Sequence, residues 1–127
     1  MHHRLWQAAL ACRDIGEHLV VVPRVLEARG LDVSAGLLPR LGALDPEAQA
    51  VLEVIYRDEI GHVAIGTRWQ RWWCQREGLD PHRHFATVLA AHFPGQHPQP
   101  TALDRYGRAQ AGFSEAELDL LEGVDGV

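Results

Sequence analysis

A long helical pattern in the middle of the chain limits the fold more than any other feature of the sequence. Asp45, Pro46 and Glu47 are typical of an N-cap, a first helical position and an acidic first turn. The pattern continues to about Glu77 and ends at Gly78. One apolar stripe follows this helix at the α-helical period, and it consists of Ala48, Leu52, Ile55, Glu59, His62, Gly66, Trp69 and Trp73. Because a single helix cannot bury such a stripe alone, other helices must pack against it.

Another helix is predicted to precede it, over about residues 5–29, with Gly30 as the residue that ends it. Pro23 lies inside this helix and should bend it, because proline has no N–H to donate. Residues 31–44 are predicted to be a connection, with room for a short helix capped by Ser34. The two long helices would therefore form a hairpin.

After the long helix, Asp80 and Pro81 are predicted to begin a third helix that reaches about Phe93, followed by a loop over residues 94–100. Ser114 and Glu117 form a capping box that opens a short terminal helix through about Glu122. The predicted fold class is all-α, because no segment alternates as a strand does. We predict a single domain over residues 1–127, with a hairpin over about 5–78 and a C-terminal extension over about 79–122. This hairpin is half of a four-helix bundle.

The composition favours a soluble cytoplasmic protein. The chain has 127 residues, 46% of them hydrophobic, which suits one globular domain. Its net charge of -5 gives no electrostatic footprint for nucleic acid, so no nucleic-acid partner is expected. Cys12 and Cys74 lack the spacing of a zinc or redox motif and are predicted to be free thiols in a reducing compartment. We expect no membrane association, because the apolar run at residues 19–23 is too short to span a bilayer.

Glu27, Glu59 and His62 are the candidate metal ligands, because they interrupt otherwise apolar helical faces. A carboxylate on such a face must be paired, protonated or bound to a metal. Glu59 and His62 lie three residues apart and can reach one ion, while Glu27 comes from the neighbouring helix. Di-metal bundles use one Glu from each of two helices and a Glu-x-x-His from each of the other two, which is twice what this chain supplies.

A homodimer would complete the set, because two copies supply four Glu and two His, and four carboxylates balance two divalent cations. Mixed oxygen and imidazole ligands favour iron, with manganese as the alternative metal. Asp58 lies beside the stripe and is predicted to accept a hydrogen bond from a ligand imidazole. A di-iron site of this kind suggests an oxidoreductase of the oxidase or oxygenase type, with a small-molecule substrate that the sequence leaves unknown.

Three alternatives compete with this hypothesis. In the first, Glu27 pairs with Arg24 or Arg13, and His62 is a neutral core histidine. In the second, the protein handles iron without acting on an organic substrate. In the third, the protein is purely structural and pairs with a separately encoded first half. Trp72 marks a second apolar stripe on the far side of the long helix, which could receive the C-terminal helices or another subunit; its other members are Val54, Gly61 and Ile65.

Three segments carry a resemblance to a known family. Their sequences are VPRVLEARGLD at residues 22–32, RDEIGHVAIG at 57–66 and AGFS at 111–114. Over roughly residues 5–121 the chain resembles the second half of the bacterial ferritin-like family known as domain of unknown function 455. LEAR at residues 26–29 and the Glu-x-x-His are also distantly similar to a di-iron tRNA hydroxylase.

The resemblance implies a ferritin-like fold in which Glu27, Glu59 and His62 bind metal and Asp58 supports them. Full-length members of the family carry an upstream helix pair with its own Glu and Glu-x-x-His. This sequence begins where that pair would end, so a partner is expected to supply the other ligands.

Overall fold

The computed structural model describes residues 2–94 and 102–123, and all the regular secondary structure in these two ranges is helical. The fold is therefore all-α, as predicted. The helices are α1 (His2–Ala11), α2 (Ile15–Leu19), a π-helical segment (Val20–Glu27), α3 (Arg29–Leu44), α4 (Pro46–Glu77), α5 (Pro81–His92), α6 (Arg105–Gln110) and α7 (Glu115–Glu122). None of the helices in the described ranges combines the length and apolar content needed to cross a bilayer.

Local capping signals fixed several helix ends as the sequence predicted. The side chain of Asp45 accepts a hydrogen bond from the backbone N–H of Ala48 at the start of α4. Gly78 ends the same helix in the left-handed conformation, with φ of 71°, which glycine adopts without strain. Asp80 caps α5, and Ser114 forms the predicted capping box at the start of α7. The predicted loop at 94–100 lies, apart from its first residue, outside the described residues.

The prediction of one helix over residues 5–29 was wrong. The chain leaves helical geometry after α1, and Asp14 caps a new helix by accepting from the N–H of Glu17. The helix then widens into the π-helical segment, closed by a hydrogen bond from Ala28 N to Pro23 O of 3.2 Å. Because the ring of Pro23 excludes a carbonyl from its usual α-helical position, the extra width gives the ring room.

The connection predicted over residues 31–44 is also wrong, since α3 runs through it. Gly30 and Ser34, predicted to end and to cap helices, both lie inside α3. Gly30 is not among the glycines with positive φ, so it does not adopt the conformation of a C-terminal cap. The packing of α3 along α4 and under α6 overrides these weak local signals.

The hydrophobic core lies between the π-helical segment, α5, the C-terminal helices and one side of α4. On α4 the buried side consists of Val63, Gly66, Thr67, Gln70 and Cys74. The C-terminal helices pack on this side, where the guanidinium of Arg71 donates to the carbonyl of Gly112 at 2.5 Å. Of the two partners predicted for the Trp72 stripe, the C-terminal helices are therefore wrong, and another subunit stays a prediction.

The remaining apolar side of α4 is open to solvent. Gly66 of the predicted inward stripe is buried and Trp73 is half-buried, but Ile55, His62 and Trp69 are exposed. We call the surface formed by these three exposed residues and the second predicted stripe the open face of α4. Its large apolar residues are each 46–61% exposed, and they are Val51, Val54, Ile55, Ile65, Trp69 and Trp72.

Candidate metal centre

Glu27, Glu59 and His62 lie near one another at the edge of the open face. Glu27 is the last residue of the π-helical segment, and the other two belong to α4. His62 Nδ1 is 3.7 Å from Glu59 Oε2. The His62 side chain is 69% exposed and the Glu59 side chain 28% exposed, so in a single chain this cluster faces solvent.

The pKa of the Glu27 carboxyl is raised from its ordinary value by its surroundings. Burial is the largest cause that raises the pKa of the Glu27 carboxyl, and the negative charge of Glu59 raises it further. The charges of His62 and His18 lower this pKa. The aliphatic part of the Glu59 side chain lies beside the start of α3. A Cβ added at Gly30 would be 3.9 Å from Glu59 Cγ. Glu59, His62 and His18 are therefore each within electrostatic reach of Glu27.

His18 also lies within electrostatic reach of Glu27, which was not predicted. Nine residues separate it from Glu27, which in a continuous α-helix places the two residues about half a turn apart. The π-helical winding between them changes that relation. The sequence signal that could have revealed it is Pro23, which lies between the two residues.

The described part of a single chain does not group enough donors to hold a metal ion. Within residues 2–94 and 102–123, no three His, Cys, Asp or Glu side chains are grouped closely enough to hold a metal ion by themselves. The donor chemistry of Glu27, Glu59 and His62 suits iron or manganese, but closure would require donors from a second set of helices. Asp58 is exposed beside them, and its role as a hydrogen-bond acceptor stays a prediction.

The alternative in which Arg24 or Arg13 pairs with Glu27 and His62 is a core residue is wrong. Arg24 donates to Glu117 and Gln70, and Arg13 donates to Glu17. His62 is an exposed residue. The cluster is therefore not a buried polar knot of the kind that the sequence left open.

Two histidines outside the cluster take part in structural contacts. His84 Nδ1 is 3.0 Å from Gln70 Nε2, and burial lowers the pKa of its imidazole. His92 Nε2 is 3.0 Å from Glu17 Oε1. Cys12 and Cys74 are both free thiols.

The open face surrounds the cluster on both sides along α4. The rings of Trp69 and Trp72 meet edge to face, with centroids 5.4 Å apart, and the guanidinium of Arg76 lies over Trp72. Large exposed apolar patches mark interaction sites, and six large apolar side chains of α4 are exposed on this face.

Comparison with known proteins identifies relatives but no established activity. Residues 1–119 match the family described as "Protein of unknown function (DUF455)". An uncharacterized protein of Haemophilus influenzae is 38% identical over 130 residues, which cover 98% of this chain and 43% of the relative. The chain thus spans less than half the length of that relative. No solved structure matches the chain.

Proposed function

The chain belongs to this family of proteins of unknown function, and from that membership and the geometry of the ligand cluster we propose that it binds iron at a homodimer interface. In this proposal the helices form half of a ferritin-like bundle, and the second copy supplies the other half. Glu27, Glu59 and His62 of each copy are the ligands. Manganese is the alternative metal.

The observation that carries the proposal is the position of the ligand cluster beside the open face. When a partner removes water from this surface, the carboxylates beside the exposed tryptophan and isoleucine are buried with it. A buried carboxylate charge that nothing neutralises costs free energy. A divalent cation offsets that cost, because four carboxylates from two copies balance two cations. The same partner would bury the apolar side chains, which supplies the driving force for association.

The pattern of the open face fits a two-fold axis near Gly61. Val51 and Val54 precede this glycine at nearly the same spacing at which Trp69 and Trp72 follow it. Two antiparallel α4 helices crossing at Gly61 would place the valines of one copy against the tryptophans of the other. A Cβ added at Gly61 would have nothing within 4 Å, so the position is free for a close helix crossing.

Bound iron would supply oxygen-dependent redox chemistry, which makes the protein a candidate oxidoreductase of the oxidase or oxygenase type. The residues of the chain would hold the metal, balance its charge through Glu27 and Glu59, and exclude water through Ile55 and Trp69. The distant similarity to a di-iron tRNA hydroxylase agrees with this reaction class. We place the protein in the cytoplasm, in keeping with its free thiols.

The test is metal content and mass measured together on untagged protein lacking His2 and His3, which could bind metal adventitiously. We expect a dimer with about one iron per chain, and loss of the metal in Glu59→Ala. Glu53→Gln is the matched control, because Glu53 is an exposed carboxylate on the same helix and should leave the metal bound. A stable, metal-free monomer would overturn the proposal.

A second variant separates the metal role from a purely structural one. Glu27→Gln combined with Glu59→Gln removes two like charges, so folding stability should stay equal or rise slightly, by about 0.5 kcal/mol or less. If the carboxylates are ligands, the same change abolishes metal binding while the chain remains folded. Unchanged iron content in this variant would exclude these residues as ligands.

The length of the Haemophilus relative suggests a partner for the open face that would compete with a second copy of this chain. More than half of that relative lies outside the match, so a helix pair from such a region could cover α4 in place of a second copy. The mass measurement separates the two cases, because only the homodimer reaches twice the chain mass when the chain is purified alone.

A further inference from the structure

Arg24 lies three residues before Glu27 and has no exposed surface. Its guanidinium donates to both carboxylate oxygens of Glu117, at 2.7 and 2.8 Å, and to Gln70 Oε1 at 3.1 Å. The rings of Phe85 and Phe113 lie on the guanidinium, with centroids at 4.9 and 4.4 Å. One side chain thus joins the π-helical segment to α4, α5 and α7.

The Glu117 carboxylate is charged in this environment. Burial by itself would raise the pKa of Glu117, but the hydrogen bonds and charge of Arg24 outweigh burial, and the pKa is lowered. Glu117 also accepts from Ser114 N within the capping box, so its position is fixed from the α7 side as well. Arg24 and Glu117 therefore form a bidentate, charge-assisted pair of hydrogen bonds that holds both side chains in place.

The π-helical segment needs such a contact, because its winding is not the one the backbone prefers. π-Helices are rare and are usually a single turn inserted in an α-helix, whereas this segment covers eight residues. Relaxation to α-helical winding over that length would rotate Glu27 relative to Val20 by roughly a third of a turn. Such a rotation would turn Glu27 away from Glu59 and His62.

We propose that Arg24, held by Glu117 and Gln70, is a positioning residue that keeps the π-helical segment wound so that Glu27 faces the other two ligands. This inference rests on the proposed metal site. It gives the C-terminal helices a role in metal binding although they contribute none of the proposed ligands. Arg24 is buried on one side of the segment while Glu27 is exposed at its end, so Arg24 acts only through the backbone.

A second buried ion pair provides a matched control. Arg108 donates to both oxygens of Asp32, at 3.0 and 2.7 Å, and both side chains are 0% exposed. The hydrogen bonds of this pair join α6 to α3 rather than to the π-helical segment. The two pairs share one neighbour, because the Arg108 guanidinium also lies over Phe113, 5.2 Å from the ring centroid. Asp32→Asn and Glu117→Gln are therefore the same chemical change in two similar pairs, and only one of them bears on Glu27.

The experiment is a Co²⁺ titration of the full chain, followed by visible absorption, with wild type, E117Q, D32N and Q70M. We expect E117Q to weaken Co²⁺ binding by about 10–100-fold and to change the ligand-field spectrum. D32N should keep both the affinity and the spectrum. Hydrogen exchange of the metal-free proteins should be faster at the amides of residues 20–28 in E117Q than in D32N. If E117Q does not fold, Q70M takes its place, because it leaves the ion pair and removes the hydrogen bond from Arg24 to Gln70 Oε1. It also removes the contacts of Gln70 Nε2 with Cys74, Pro81 and His84.

The outcomes separate this inference from the metal proposal itself. Wild type that binds no Co²⁺ would overturn both. Wild type that binds Co²⁺ with the same affinity and spectrum as E117Q and Q70M would overturn the positioning role alone. Equal weakening in E117Q and D32N would also overturn it, because the loss would then follow general stability.

Discussion

Replacing Gly66 by alanine tests how closely α4 and the π-helical segment approach each other. A Cβ at Gly66 would lie 2.5 Å from Pro23 Cβ and 2.7 Å from Pro23 Cγ. A proline ring cannot rotate away as a flexible side chain can, so the two helices would have to separate. Overpacking of this kind costs about 3 kcal/mol, and the better helix propensity of alanine returns about 1 kcal/mol. We expect a net loss of about 2 kcal/mol in unfolding free energy.

Gly61→Ala in the same helix is the matched control. A Cβ there meets nothing within 4 Å, so only the propensity gain remains and the chain should gain up to about 1 kcal/mol. Thermal unfolding at low protein concentration, where dimers are least populated, should place the Tm of Gly66→Ala roughly 6–10 °C below wild type. Equal Tm values for the two variants would refute the close approach. A loss of dimer in Gly61→Ala at high concentration would instead support a helix crossing at that glycine.

Three further predictions concern single contacts. Hydrogen bonds from His92 and from the Arg13 backbone lower the pKa of Glu17 from 4.5 to about 2. The Glu17 carboxylate therefore stabilises the fold above pH 4.5, and its contribution to stability is lost as the pH falls towards 2. The urea midpoint should drop less over this range in Glu17→Gln, and parallel curves would contradict the assignment. Phe113→Ala should lower the unfolding free energy by about 3–5 kcal/mol, because the buried ring packs in the core and on Arg24; a loss under 1 kcal/mol in denaturant titration would exclude that packing. Ser114→Ala should cost about 1 kcal/mol by the same measurement while Ser114→Asp restores the cap, and equal stability of the two would mean that the cap contributes nothing.

The parts of the fold that the sequence predicted well depend on short-range chemistry. Asp45, Asp80 and Ser114 each satisfy backbone donors within three residues of themselves, so their helix starts could be predicted without knowing the rest of the fold. Gly78 ends α4 for an equally local reason. These signals need no tertiary contact to act.

The errors lie where tertiary packing decides the conformation. Gly30 is a local signal for the end of a helix, yet it lies inside α3. Pro23 is a local signal for a bend, and it lies in the π-helical segment against Gly66. On α4, periodicity identified two apolar stripes but could not say which side the same chain would cover. The answer depends on residues from the far end of the sequence.

The candidate site was predicted in part. Spacing and resemblance brought Glu27, Glu59 and His62 together, and the structure places them within electrostatic reach, while metal binding stays a prediction. His18 could not be predicted from α-helical periodicity, because the π-helical segment changes the angle between it and Glu27. The Arg24 pair left no periodic signal, because its partner Glu117 lies 93 residues away.

That separation has a consequence for how the protein is made. Arg24 leaves the ribosome 93 residues before Glu117, the carboxylate that neutralises it. Until then the guanidinium must stay hydrated, so the first helices cannot close their final packing, and folding must await closure of a loop that spans most of the chain. A nascent chain halted before α7 would therefore expose its apolar surfaces to chaperones or proteases.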